Sequence, residues 1–87
     1  MAASDPTITV YAVDWCFDCR RARKFFDRNN IAYRWINIDR EPEAEKYVLK
    51  VNRGNRSVPT IVFEDGSILV EPSETQLRTK LKISIGD

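Results

Sequence analysis

Val13–Phe26 reads VDWCFDCRRARKFF: two cysteines three residues apart, an apolar stretch ahead of them and a run of positive charge behind. Upstream, Thr7–Val13, TITVYAV, is short, β-branched and apolar, the composition of a strand covered on both faces. Downstream, Cys19, Ala22 and Phe26 recur at i, i+3 and i+7 with Phe25 beside them. Arg20, Arg21, Lys24, Asp27 and Arg28 take the other faces, so a helix starts at the cysteines and stops at Asn29 and Asn30. Cys16 therefore falls where the first strand hands over to the first helix. In open α/β sheets ligands bind beyond the carboxyl ends of the strands, which makes this junction the expected site.

Outward from the junction the elements continue in order. Ala32–Ile38, AYRWINI, is strand-like by its aromatic and β-branched content. Pro42 suits the first turn of a second helix, whose stripe Ala44, Tyr47, Val48 and Val51 runs to Gly54, a residue fitted to a left-handed cap. Thr60–Phe63 and Ser67–Val70 are strands joined through Asp65-Gly66, a two-residue hairpin signal, so they pair antiparallel. Ser73 opens the last helix, because Ser-x-x-Gln forms a capping box and Leu77 and Leu81 supply an apolar pair; Ile83 and Ile85 pack its end. The sum is an α/β fold, β-α-β-α-β-β-α, with a right-handed parallel βαβ unit and a hairpin in one four-stranded mixed sheet flanked by helices.

Residues 1–87 read as one domain, too short to bury a large core. The net charge is +1, from 14 basic and 13 acidic side chains, and offers no overall field for nucleic acid or an anionic membrane. No apolar run is long enough for a membrane span, and the start has no secretory pattern, so the expected location is cytoplasmic. Histidine is absent, which removes Cys/His dyads, imidazole acid/base catalysis and His-containing zinc sites.

Three chemistries remain open for the thiols. A closed zinc site needs four ligands and one CxxC supplies two, so no metal is expected. A permanent disulfide across two intervening residues constrains little of the unfolded chain. Redox chemistry fits best. Cys16, at a helix start, faces unsatisfied N–H groups and the positive end of the macrodipole, both of which favour a thiolate. Arg20 and Arg23 follow one and two turns on, while Asp14 and Asp18 oppose them. Cys19 lies on the inward stripe, where it can resolve a mixed disulfide formed at Cys16, its proton passing to water or to Asp14 or Asp18.

With these residues in place, YAVDWCFDC, the SVPT of Ser57–Thr60 and FEDGS resemble the glutaredoxin branch of the thioredoxin fold, over nearly the whole chain. The resemblance implies that Pro59 is cis and faces Cys16, and that the Val58 backbone pairs with the thiol substrate. The pattern departs where glutathione-binding members carry Lys three residues before the nucleophile, here Val13, and Gly-Gly before the last helix, here Val70 and Glu71. VNRGNRSVPTIVFEDGSILVEPS and Trp15 are more similar to the mycoredoxins, although Phe17-Asp18 replaces their usual Gly-Tyr.

That similarity implies a thiol-disulfide oxidoreductase reducing mixed disulfides between proteins and a low-molecular-weight thiol. Cys16 is its nucleophile and Cys19 its resolving thiol; mycothiol or glutathione is a co-substrate, no cofactor is bound, and the protein is a monomer. Trp15, Phe17, Arg56, Ser57, Val58, Pro59, Ser73 and Glu74 are its expected substrate contacts, with Arg53 and Arg56 suited to a carboxylate. Two alternatives stay open: a thioredoxin-like dithiol reductase recharged by a flavoprotein reductase, and, with less support, a carrier of a bridged iron-sulfur cluster.

Overall fold

The computed structural model describes residues 8–82. In chain order it contains strand β1 (Thr9–Ala12), helix α1 (Phe17–Arg28), strand β2 (Arg34–Asn37), helix α2 (Pro42–Val51), strands β3 (Thr60–Val62) and β4 (Ile68–Val70), and helix α3 (Glu74–Leu81). The strands form one sheet in the order β2-β1-β3-β4. β1 and β2 are parallel, while β3 runs antiparallel to both β1 and β4. This is the expected α/β architecture, with shorter strands. Ile83 and Ile85 lie outside the described residues.

Alternation along β1 divides the helices between the faces of the sheet. Val10 pairs with Trp35, so the two side chains share a face, and Arg23 of α1 lies over the Trp35 ring, 4.3 Å from its centroid. Tyr11 points the other way, where Tyr47 of α2 meets it at 4.9 Å. α3 joins α1: Arg28 pairs with Glu74 at 3.1 Å and Arg78 lies over Phe25. The core on the α1 side holds Val10, Phe25, Phe26 and Leu77, all fully or almost fully buried. The first strand is less enclosed than its composition suggests. Thr9 and Tyr11 are only half-buried, because a single short helix covers their face.

Several terminations follow local rules. Asn30 and Arg53 both adopt the left-handed region, φ 56°, just past α1 and α2. The next N–H in each case, from Ile31 and Gly54, bonds back to Phe26 and Leu49 at 2.9 and 2.7 Å, closing both helices with a Schellman turn. Gly54 is left-handed too, at φ 92°, but the cap itself falls on Arg53, one residue earlier than the glycine suggests. Ser73 and Gln76 form the expected capping box.

The hairpin differs from the two-residue reading. Phe63 N–H bonds Ser67 O at 2.9 Å, leaving Glu64, Asp65 and Gly66 as a three-residue loop with Gly66 left-handed at φ 86°. Asp65 favours the longer loop, because its carboxylate accepts from the Ser67 N–H and hydroxyl and from Lys80. Lys80 first, then Ser67, holds that carboxyl well below the usual carboxylate range.

Candidate active site

Sheet register brings the candidate residues together. Tyr11 pairs with Thr60 near the end of β1, so Val58 and Pro59, just before β3, lie at the edge from which the chain leaves for Cys16. β2 is parallel to β1 and ends at the same edge, which brings Asn37 and Asp39 there. β4 also ends there, and Glu71 N–H bonds Pro59 O at 2.9 Å.

Cys16 occupies the N-cap position of α1, with extended backbone at φ −86° and ψ 130°, and makes no side-chain capping bond. The position from which Ser or Asp would cap a helix thus holds a thiol, beside the donors left open at any helix start. Cys16 is half-buried and Cys19 fully buried. Burial pushes the Cys19 thiol up to about 12; a hydrogen bond with the Val13 backbone pulls it down by less, and hydrogen bonding and charge at Cys16 raise it further. Cys19 is therefore a neutral thiol at physiological pH, close to the Cys16 sulfur.

The Val58–Pro59 peptide bond is cis. Pro59 is buried and Val58 packs against the core edge. Thr60, a fully buried polar residue, braces the segment: its hydroxyl donates to Ser57 O at 2.7 Å and accepts from Asn52 Nδ2 at 3.1 Å, while Asn52 also donates to Val48 O. The end of α2 is thereby tied to the turn that carries Val58.

A second network fixes the exposed rim. Trp15 is 69% exposed, yet its Nε1–H donates to Asp39 Oδ2 at 2.9 Å. Asp39 also receives the Arg56 guanidinium, whose Nε donates to Glu45 Oε2 at 2.6 Å. The Trp15 indole first, and Arg56 next, hold the Asp39 carboxyl below its ordinary value. Arg56 thus lies on the expected rim with its guanidinium already shared between two carboxylates of this chain. Asp14 accepts from Trp35 Nε1 and Asn37 Nδ2, both at 3.2 Å, and Asp18 pairs with Arg21 at 3.3 Å, so both candidate acceptors for the Cys19 proton have partners. Arg23, two turns past Cys16, lies over Trp35.

The remaining candidates lie at the start of α1 and around the start of α3. Phe17, the first residue of α1, is 70% exposed. Ser73 is engaged in the capping box. The Glu74 carboxylate is taken by Arg28, the last residue of α1. Glu71 adopts φ 50°, so the backbone keeps a glycine-like conformation under an acidic side chain. Asp39, Glu45, Asn52 and Thr60 were not candidates from sequence. Only Asp39 had a usable signal, as a polar residue just past the carboxyl end of a strand.

Comparison with known proteins agrees with this geometry. The glutaredoxin family model matches residues 8–68. A putative glutaredoxin of Mycobacterium tuberculosis is 40% identical over 74 residues, covering 85% of this chain and 88% of the relative. Mycoredoxin 1 of Corynebacterium glutamicum is 37% identical over 75 residues, 86% of this chain and 92% of its own. The glutaredoxin-like protein NrdH of Lactococcus lactis is 34% identical over 58 residues, 67% and 78% respectively. Among solved structures, a thioredoxin-like protein superposes with a TM-score of 0.79 at 27% identity, covering 90% of this chain and 97% of that one.

Proposed function

The chain belongs to the glutaredoxin family of thiol-disulfide oxidoreductases, and on that premise we propose that it reduces mixed disulfides between proteins and a small thiol by a monothiol route through Cys16. The Cys16 thiolate attacks the small-thiol sulfur of the mixed disulfide; that S–S bond breaks, and the client sulfur leaves as a thiolate and takes a proton. A second small-thiol molecule, as thiolate, then attacks the sulfur bound to Cys16, forming the small-thiol disulfide and restoring the Cys16 thiolate. The observation that carries this reading is Cys19, fully buried and pushed up to about 12. A neutral internal thiol competes poorly with a thiolate from solution.

Mycothiol is the preferred co-substrate in this reading. Arg56, the rim cation best placed for a carboxylate, is engaged by Asp39 and Glu45, and a side chain at Glu71 occupies the place of a family glycine. Both features disfavour a peptide thiol with free carboxylates. The small thiol is a co-substrate rather than a resident cofactor, and the protein acts as a monomer in the cytoplasm, where such thiols are kept reduced.

A second reading, a dithiol reductase recharged by a flavoprotein reductase, is favoured by the closeness of the two sulfurs and by the NrdH-type relative. The test is turnover of a mixed disulfide by wild type, Cys16→Ser and Cys19→Ser, with mycothiol or glutathione as the only reductant. Activity of Cys19→Ser with mycothiol, and none for Cys16→Ser, supports the monothiol route. Turnover only with a flavoprotein reductase, lost in both variants, establishes the dithiol route instead.

A further inference from the structure

Phe17, Arg20, Arg21 and Lys24 stand at i, i+3, i+4 and i+7 of α1, so they share one stripe that begins beside Cys16. They line a cleft of about 350 Å³. Among the described residues, neither the Arg20 nor the Lys24 side chain has an ion-pair or hydrogen-bond partner. Arg20 and Lys24 form a like-charged i, i+4 pair, which weakens a helix, and Asp18 answers only Arg21. The other α1 cations have structural roles, Arg23 over Trp35 and Arg28 on Glu74. Phe17 adds a large apolar side chain that folding leaves in water.

We propose that this cleft docks an acidic segment of the client polypeptide flanking its disulfide, with Phe17 receiving an apolar side chain and Arg20, Arg21 and Lys24 its carboxylates. The spacing suits an extended chain. One helical turn separates Arg20 from Lys24 by about 6 Å of rise, and alternate residues of a strand are about 6.6 Å apart on one face. Carboxylates at alternate positions of an extended client therefore match Arg20 and Lys24. A nucleic acid fits less well, because its affinity needs many phosphate contacts, whereas this chain has a net charge of +1 and a single short stripe.

The docking inference rests on the oxidoreductase reading for its consequence, not for its binding test. The probes are a peptide with Phe and alternating Glu around a cysteine carried as its 2-hydroxyethyl mixed disulfide, the same peptide with Lys for Glu, and bis(2-hydroxyethyl) disulfide. Lys24→Glu should lower the ratio of kcat/KM on the acidic peptide to that on the small disulfide roughly tenfold at low salt, and raise it for the Lys peptide. Arg20→Gln should shift the ratios the same way by less. An unchanged ratio, or equal losses on both peptides, overturns the proposal.

Binding is read separately by fluorescence anisotropy, with Cys16→Ser protein and a labelled acidic peptide carrying Ser in place of its cysteine, so no chemistry is needed. Weaker binding to the Lys24→Glu, Cys16→Ser double variant supports docking even if the small-thiol reading fails. Displacement of the peptide by an oligonucleotide at physiological salt reassigns the cleft and refutes a polypeptide occupant.

Discussion

Raising the pH should switch on Cys19. Its thiol is pushed up to about 12, chiefly by burial. Far below that value each pH unit multiplies the ionised fraction about tenfold. Loading Cys16 with thionitrobenzoate removes any charge on the Cys16 sulfur but leaves the burial of Cys19 in place, so the steep dependence survives in the mixed disulfide. The assay is single-turnover release of the coloured thionitrobenzoate anion, without added thiol, followed by stopped-flow absorbance from pH 6 to 9. Release should accelerate about a thousandfold across that range with no plateau, because attack requires the thiolate. Cys19→Ser should release nothing until a small thiol is added. A plateau at or below pH 8 in the wild type refutes the reasoning, since Cys19 would then ionise near the ordinary thiol value.

The rim network, the brace and the departed glycine each offer a further measurement. In a Trp35→Phe background, Trp15 emission should stay constant from pH 7 to about 4 and change only below the ordinary Asp value of about 3.9, because Asp39 is held low by Trp15 and Arg56. A carboxyl depressed by folding keeps its contact above the unfolded value and loses it as pH falls through the folded one, so a midpoint at or above pH 4 contradicts the assignment. Thr60→Val leaves Ser57 O and the Asn52 amide each short of a partner; urea unfolding should show a loss of about 1–3 kcal/mol, and a neutral result places no weight on the brace. Glu71→Gly should alter stability by less than about 1 kcal/mol, relief of the left-handed conformation being offset by unfolded-chain entropy. It should also raise glutathione-supported turnover relative to mycothiol-supported turnover, and an unchanged ratio would clear the Glu71 side chain of excluding glutathione.

What was legible in the sequence was whatever depends on period and on local chemistry. The stripe Cys19, Ala22 and Phe26 is set by 3.6 residues per turn, and those residues are buried in α1. Ser73 and Gln76 cap α3 through atoms three residues apart, so no tertiary information is needed. The hairpin loop length was not legible, because Asp65 selects among turns partly through Lys80, fifteen residues away. The rim was hidden for the same reason. Arg56 looked free for a substrate because Asp39 and Glu45 come from the end of β2 and from α2, and only the assembled sheet brings them to one guanidinium. Burial that comes from neighbouring elements, as at Thr60, likewise has no period to reveal it.

The division of labour between the cysteines follows from where the motif meets the helix. Residues three apart are separated by about 300° around a helix axis, hence about 60° the other way, so the two side chains are neighbours without being equivalent. When the first of them is the N-cap, it stands outside the helical hydrogen-bond pattern at the open end, and the second falls in the first turn, facing the sheet. Cys16 and Cys19 fulfil both conditions: one half-buried at the N-cap, the other fully buried with Ala22 and Phe26 below it on the same stripe. The same placement that exposes one sulfur to substrate raises the cost of ionising the other. Moving the pair one turn further along α1 would preserve the spacing yet remove the open helix end from the first thiol, so the three-residue spacing alone does not specify nucleophile and resolving thiol; the position of the N-cap does.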